Sequence, residues 1–159
     1  SQDRIVPDII RSVENKKPII LRKPQSTRPW QHVLDPLHGY LCLAMHLYNN
    51  PQQYNGEAWN FGPSNQSIKT VLELTNLIKA LWADIDVQVE SDVNQPYESN
   101  LLHLSIDKAQ TFLKWAPKYH FNQAVMKTGA WYKRVQNGEE ASLVTSEQIM
   151  EFMNSNECL

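Results

Sequence analysis

The sequence has few of the residues that form cross-links. Its 159 residues include two cysteines, Cys42 and Cys158, and no apolar run that approaches the roughly 20 residues of a membrane span. Two cysteines cannot build a disulfide framework, and Cys158 lies next to the last residue of the chain. This cysteine usage indicates a reducing, cytoplasmic protein.

The first residues, from Ser1 to Arg4, lack the pattern of a signal peptide and an initiator Met. We therefore expect a segment of a longer protein.

Glycine is scarce as well, and its spacing excludes the common dinucleotide loop. The five glycines lie at positions 39, 56, 62, 129 and 138, so neither Gly-x-Gly nor Gly-x-x-Gly occurs. A Tyr-x-x-x-Lys acid/base pair is also absent, because Ala, Gln or Leu stands four positions after each of the six tyrosines. A chain of this length is one ordinary domain. It is too short for the two domains of a nucleotide-dependent enzyme.

No excess of one charge is present. The chain has 15 Lys and Arg residues and 17 Asp and Glu residues, which gives a formal net charge of −2 at pH 7. This balance gives no indication of a nucleic-acid partner. The apolar residues make up 42% of the chain, which is typical of a folded globular protein rather than a disordered or membrane chain.

Hydrophobic periodicity predicts an α/β chain that is rich in helix and has a few short strands. Residues 23–30 are predicted to be a loop because of their Pro, Ser and Thr content. Three helices are predicted to begin at the caps Asp35, Ser67 and Thr145. Further helices are predicted over 4–15, 107–113 and 121–135, and strands over 18–22, 57–61, 87–89 and 101–104.

A row of potential metal ligands follows the helix that begins near Asp35. His38, Cys42 and His46 lie four residues apart, and an i, i+4 pair can chelate zinc. Three such residues span about 12 Å, however, so one ion cannot reach all of them, and a fourth ligand is missing. We predict no metal site and interpret the row as a solvated flank. The predicted core-facing side of this helix consists of Leu37, Tyr40, Leu41, Ala44, Leu47 and Tyr48.

Three polar segments are candidates for ligand binding. Arg28 lies beside Pro29 and Trp30, where its guanidinium could bind a pair of phosphates or only stack on the indole ring. Asn60 precedes a Gly-Pro turn and could bind a ligand or its own turn. Glu98 lies in a polar turn and could face a helix end, a sugar hydroxyl or solvent. Arg4, Arg22 and Lys23 could extend the positive patch around Arg28.

Several of these segments, taken in chain order, resemble one known family. The matching stretches are Arg4-Ile5-Val6-Pro7-Asp8, Pro18–Arg22, Arg28-Pro29-Trp30-Gln31-His32-Val33, Gly56–Pro63 and Leu113–Pro117. They are similar to the C-terminal portion of the CDP-glucose 4,6-dehydratases, which are extended short-chain dehydrogenase/reductases of the NAD-dependent epimerase/dehydratase family. The resemblance covers nearly the whole chain, and the stretch that begins at Arg28 is its most specific part.

The resemblance implies a helix-rich, sugar-nucleotide-binding domain over residues 1–159. The Rossmann domain, which binds NAD and holds the catalytic Tyr-x-x-x-Lys, would lie outside this chain. The parent enzyme would be a cytoplasmic lyase that converts CDP-glucose to CDP-4-keto-6-deoxyglucose and water in deoxysugar and lipopolysaccharide (O-antigen) synthesis. The chain alone would be inactive and could form a homo-oligomer. A dehydratase or epimerase for another nucleotide sugar, or a non-catalytic interaction module, remains an open alternative.

The resemblance also assigns binding roles to individual residues. Arg28 would bind the pyrophosphate, and Asn60 would lie beside the phosphates or the ribose. The base and ribose would be lined by Asp3, Arg4 and Ile5, and the cytosine pocket would be flanked by Ile20 and Arg22. Related dTDP-sugar enzymes have a second arginine near the position of Glu98, and its absence here leaves more of the pyrophosphate binding to Arg28.

Overall fold

The computed structural model describes residues 4–82, 86–90 and 104–155. Within these ranges the chain forms seven α-helices and four three-residue strands. The helices are α1 Ile5–Glu14, α2 Leu34–Asn49, α3 Pro51–Tyr54, α4 Val71–Lys79, α5 Asp107–Leu113, α6 Phe121–Gln136 and α7 Ala141–Asn154. The strands are β1 Ile19–Leu21, β2 Thr27–Pro29, β3 Ile68–Thr70 and β4 Val87–Val89. The predicted helix-rich α/β fold is confirmed, and no helix in these ranges is long and apolar enough to cross a membrane.

The strands form two small sheets. β1 pairs in parallel with β4, with Ile19 opposite Val87, whereas β2 pairs antiparallel with β3, with Arg28 opposite Lys69. Alternation along β1 buries Ile19 and Leu21 and leaves Ile20 exposed on the other face. The apolar side of β1 therefore joins the core while Ile20 faces away from it.

Two main apolar clusters hold the helices and sheets. The first packs α1, β1, α4 and α6 together through Ile9, Ile19, Leu21, Leu74, Ile78, Phe121 and Val125. The second surrounds α5 and consists of Tyr54, Phe61, Ile106, Ala109, Leu113 and Trp115. Because α1 and β1 both contribute to the first cluster, this core fixes the position of the helix relative to the strand.

The three predicted helix caps are wrong. Asp35 lies inside the first turn of α2, where its buried carboxylate accepts the backbone N–H of Lys118 at 2.7 Å instead of capping the helix. The cap of α4 is Thr70 rather than Ser67, and it forms a reciprocal capping box with Glu73. Helix α7 begins at Ala141, four residues before Thr145, with Glu140 as its cap. Helices α4 and α7 are capped by a nearby side chain that accepts a backbone N–H, whereas the N-cap residue of α2, Val33, has no side-chain cap.

Two strand predictions differ from the structure. Residues 57–61 form no strand in the described part of the chain, and the predicted loop 23–30 contains β2. The partner of β2 is β3, which lies about 40 residues further along, and Ile68 therefore belongs to a strand instead of the helix predicted from Ser67. The predicted strand 101–104 lies outside the described residues except for Leu104, which is not in a strand.

Helix α2 faces the core with a side largely different from the one predicted, although Leu47 of the predicted face packs against the second cluster. Of its predicted apolar face, Leu41 is 63% exposed and Tyr48 is 89% exposed. The row interpreted as a solvated flank points inward: the His38 ring contacts Phe152, and Cys42 packs against the second cluster. Both sides of α2 are apolar or aromatic, so periodicity alone does not distinguish them. Within the described residues, no three His, Cys, Asp or Glu side chains are placed so that they could hold one metal ion.

Candidate functional site

A cleft of about 590 Å³ opens between α1 and the strands β1 and β2. Helix α1 forms one wall, and the other wall consists of β1, the residues that follow it and β2. The lining residues from α1 are Ile5, Asp8, Ile9, Arg11 and Ser12, and those from the rest of the chain are Ile19–Lys23, Ser26, Arg28, Trp30 and Val71. The cleft is thus built on the first apolar cluster.

The local sequence explains how each wall presents its side chains. Ile5, Asp8 and Ser12 are spaced three and four residues apart, which places them on one face of α1. The inner side of the same helix is anchored by Ile9, which is fully buried. On the opposite wall, Ile20 lies on the exposed face of β1, and it lines the cleft together with its neighbours Ile19 and Leu21. Buried residues next in sequence or on the same element therefore anchor the apolar lining in both walls.

Arg28 lies at the centre of the short sheet β2–β3. Its Nη1 donates a hydrogen bond to the carbonyl oxygen of Thr27 at 2.8 Å. Two residues later, the Trp30 indole N–H donates to the carbonyl oxygen of Lys69 at 2.9 Å, which ties the end of β2 to β3. Arg22 and Lys23 line the same cleft. This wall therefore combines a guanidinium fixed on a strand with two more cations.

The chain after Arg28 is anchored by two buried polar residues. Burial lowers the pKa of His32, and the charge of Lys127 lowers it further. Burial raises the pKa of Asp35, against the opposing effect of the backbone N–H groups of Lys118 and Tyr119. The ring of His32 also packs edge-on against Tyr119. These contacts fix the segment that joins β2 to α2.

The structure brings four of the predicted site residues together. Ile5, Ile20, Arg22 and Arg28 all line the cleft. Arg4 is the exposed N-cap of α1 and does not belong to the lining. Asn60 lies apart from the cleft lining, where its Nδ2 donates to the carbonyl oxygen of Ser105 at 3.3 Å. Asp3 and Glu98 lie outside the described residues.

Several lining residues of the cleft are not among those predicted from the sequence. Asp8, Arg11 and Ser12 share the α1 face that begins with Ile5, so the helical spacing itself could have found them. The Arg11 guanidinium forms an ion pair with the Asp8 carboxylate on this face. The described lining thus offers cations, one carboxylate and apolar surface. Such a cleft can bind an anionic ligand that also has an apolar part.

A sequence comparison finds an enzyme that matches nearly the whole chain. The chain is 36% identical over 155 residues to CDP-glucose 4,6-dehydratase of Salmonella typhimurium strain LT2. This chain resembles a C-terminal portion of CDP-glucose 4,6-dehydratase. The match covers 98% of the chain but 43% of the Salmonella enzyme, so the chain spans less than half of that relative. No family model matches the chain.

Solved structures show which fold the chain shares with such enzymes. The dTDP-glucose 4,6-dehydratase of Bacillus anthracis, in complex with NAD, matches with a TM-score of 0.66 at 22% identity, over 83% of this chain and 40% of its own. A UDP-glucose 4-epimerase matches with a TM-score of 0.69 at 19% identity, over 87% of this chain and 43% of its own. The fold is that of the C-terminal part of extended short-chain dehydrogenase/reductases, as the resemblance to CDP-glucose 4,6-dehydratase implies.

Proposed function

We propose that this chain is the sugar-nucleotide-binding part of a CDP-glucose 4,6-dehydratase, an NAD-dependent lyase of deoxysugar synthesis in the cytoplasm. The observation that supports it most directly is the cleft between α1 and β1. There Arg22, Lys23 and Arg28 line the same cleft as the apolar side chains of Ile5 and Ile20, in a chain that is 36% identical to such an enzyme. A nucleoside diphosphate sugar has the matching parts, namely a doubly charged pyrophosphate and a flat base.

In this proposal Arg28 binds the pyrophosphate and so orients the sugar. A guanidinium can donate two parallel hydrogen bonds to phosphate oxygens, and its position in a paired strand limits its freedom. Binding energy from the nucleotide, which does not react, can then hold the glucose in the orientation that the reaction needs. Ile5 and Ile20 supply apolar surface for the base and ribose.

The described residues do not fit NAD. A dinucleotide cradle needs glycines between a strand and the N-terminus of the following helix. Here Gly39 and Gly129 lie inside helices, and Gly138 connects two helices. The junction between β3 and α4 is occupied by Thr70. We therefore assign NAD binding and the acid/base groups to sequence beyond these 159 residues, and the role of this chain is substrate binding.

The exposed face of α2 is, in the same proposal, the surface that the Rossmann domain covers in the whole enzyme. Five large apolar side chains of α2 are more than two-fifths exposed, namely Leu37, Tyr40, Leu41, Met45 and Tyr48. No charged residue lies among them, since the acidic residue of this helix, Asp35, is fully buried. A continuous apolar patch of this kind marks an interaction surface.

Replacing Leu41 with Lys tests this surface. At high concentration the isolated chain should self-associate through the exposed α2 face. The lysine of the Leu41→Lys variant should shift this equilibrium to the monomer, because burying its ammonium group in the contact is costly. Sedimentation velocity measures the change. Met150→Lys is the matched control, since Met150 is an equally exposed apolar residue on α7. A wild-type chain that stays monomeric, or equal effects of both variants, would contradict the assignment.

A nucleotide titration tests the proposed function. The chain, labelled with ¹⁵N, is titrated with CDP, UDP, GDP and dTDP to millimolar concentration. We expect weak binding with CDP preferred, and shifts at Ile5, Ile20 and Arg28. A turnover assay with NAD and CDP-glucose should give no product. Preference for UDP or dTDP would favour a dehydratase or epimerase of another nucleotide sugar, and no binding at all would favour an interaction module.

A further inference from the structure

Asp8 is an unexpected residue in a cleft that is proposed to bind a diphosphate. The described lining includes the cations Arg11, Arg22, Lys23 and Arg28, and Asp8 is the one acidic side chain in it. A carboxylate within a few ångströms of a phosphate is repelled by it, so Asp8 opposes phosphate binding wherever the two are close. Its place in the cleft is favourable if it lies beside a part of the ligand that donates hydrogen bonds.

Asp8 and the main group of cations lie on different elements of the cleft. Asp8 is on the α1 wall, whereas Arg22, Lys23 and Arg28 are on the wall formed by β1 and β2. The carboxylate Oδ1 forms the ion pair with Arg11, one turn further along α1. The ion pair with Arg11 holds the carboxylate in place, and the Asp8 side chain is still 40% exposed. Oδ2 accepts no hydrogen bond within the described part of the chain and is available to a ligand.

The surroundings of Asp8 suit a base rather than a phosphate. Ile5 precedes Asp8 by three residues on the same face of α1, and Ile20 lies on the facing wall with 40% of its surface exposed. Both side chains give the cleft apolar surface that a flat ring can contact. An edge of that ring would then meet the Asp8 carboxylate.

Pyrimidine bases differ at this edge in the group that they present. Cytosine has an amino group that donates hydrogen bonds, where uracil and thymine have a carbonyl oxygen that only accepts. A carboxylate can accept from the first and repels the second. Resting on the proposed function, we propose that Asp8 selects the base by accepting a hydrogen bond from the exocyclic amino group of cytosine, with Arg11 as its positioning residue.

Asp8→Asn tests the assignment by titration of the full 159-residue chain with CDP and UDP. The wild-type chain should bind CDP about 10-fold more tightly than UDP, the size of one charge-assisted hydrogen bond. In Asp8→Asn this ratio should fall to about one, because an amide can also donate to the uracil oxygen. Glu14→Gln is the control, since Glu14 lies on α1 outside the cleft lining and undergoes the same chemical change.

A ligand-side test needs no variant. CDP with two methyl groups on its amino nitrogen lacks the donors, and the wild-type chain should bind it about as weakly as UDP. Equal affinity for CDP and UDP, or a preference that survives Asp8→Asn, would overturn the role of Asp8 and leave the proposed nucleotide site standing. Tighter binding of GDP than of CDP would overturn the choice of cytosine. Failure to bind any nucleotide would overturn the proposed function, and this inference with it.

Discussion

Replacing Arg28 with Ala is expected to weaken the binding of CDP by about 100-fold. Each hydrogen bond between a guanidinium and a phosphate oxygen contributes about 1.5–3 kcal/mol, and a factor of 100 is about 2.8 kcal/mol. The loss should be similar for CDP and UDP, since both have the same diphosphate. Chemical-shift titration measures both affinities. A uniform loss distinguishes Arg28 from Asp8, whose replacement should change the ratio between the two nucleotides.

Two variants sharpen this expectation. Arg28→Lys keeps the charge but loses the planar fork, so it should recover only part of the affinity, to within about 10-fold of the wild type. Arg134→Ala removes an arginine of α6 that is bound to Glu139 and Glu147 and does not line the cleft. It should leave CDP binding unchanged. If Arg28→Ala binds CDP within about 2-fold of the wild type, the pyrophosphate contact is wrong.

The sequence is sufficient to select Arg28 but not to describe its surroundings. Its proline-rich context predicts a loop, and the structure has the strand β2 there. The three residues of β2 show no alternation of buried and exposed side chains, and the strand depends on pairing with β3, about 40 residues away. Helical spacing, by contrast, is a local property, and the predicted bounds of α5 and α6 agree with the structure to within a residue or two. Helix α1 and strand β1 of the cleft could therefore be predicted, and the strand β2 could not.

Helix α2 shows a second limit of sequence patterns. Hydrophobic periodicity identifies the core side of a helix when charged residues mark the other side. Among the residues of α2 the two histidines and Cys42 are the polar candidates for a solvated side, and they pack against aromatic and apolar neighbours instead. The exposed side is equally apolar, because in the proposed whole enzyme it is an interface. A helix with two apolar sides gives the pattern no basis for choosing between them.

The largest effect on stability is expected at Gly39, in the middle of α2. Ala is favoured over Gly in a helix by about 1 kcal/mol. A Cβ at position 39, however, would lie 2.3 Å from Cδ1 of Phe61. The Phe61 ring is held edge-on between Tyr40 and Trp115, at centroid distances of 5.4 and 5.0 Å. Trp115 is almost fully buried, so the ring cannot easily move away.

Gly39→Ala should therefore lower the free energy of unfolding by about 2–3 kcal/mol, a fall in Tm of about 5–10 °C for a chain of this size. Gly129→Ala is the matched control in α6. A Cβ there would meet Leu81 Cδ1 at 2.1 Å, which is the end of a flexible side chain that can rotate away. The helix preference for Ala should then nearly offset the cost. Urea unfolding measures both, and equal losses would show that Phe61 yields as easily as Leu81.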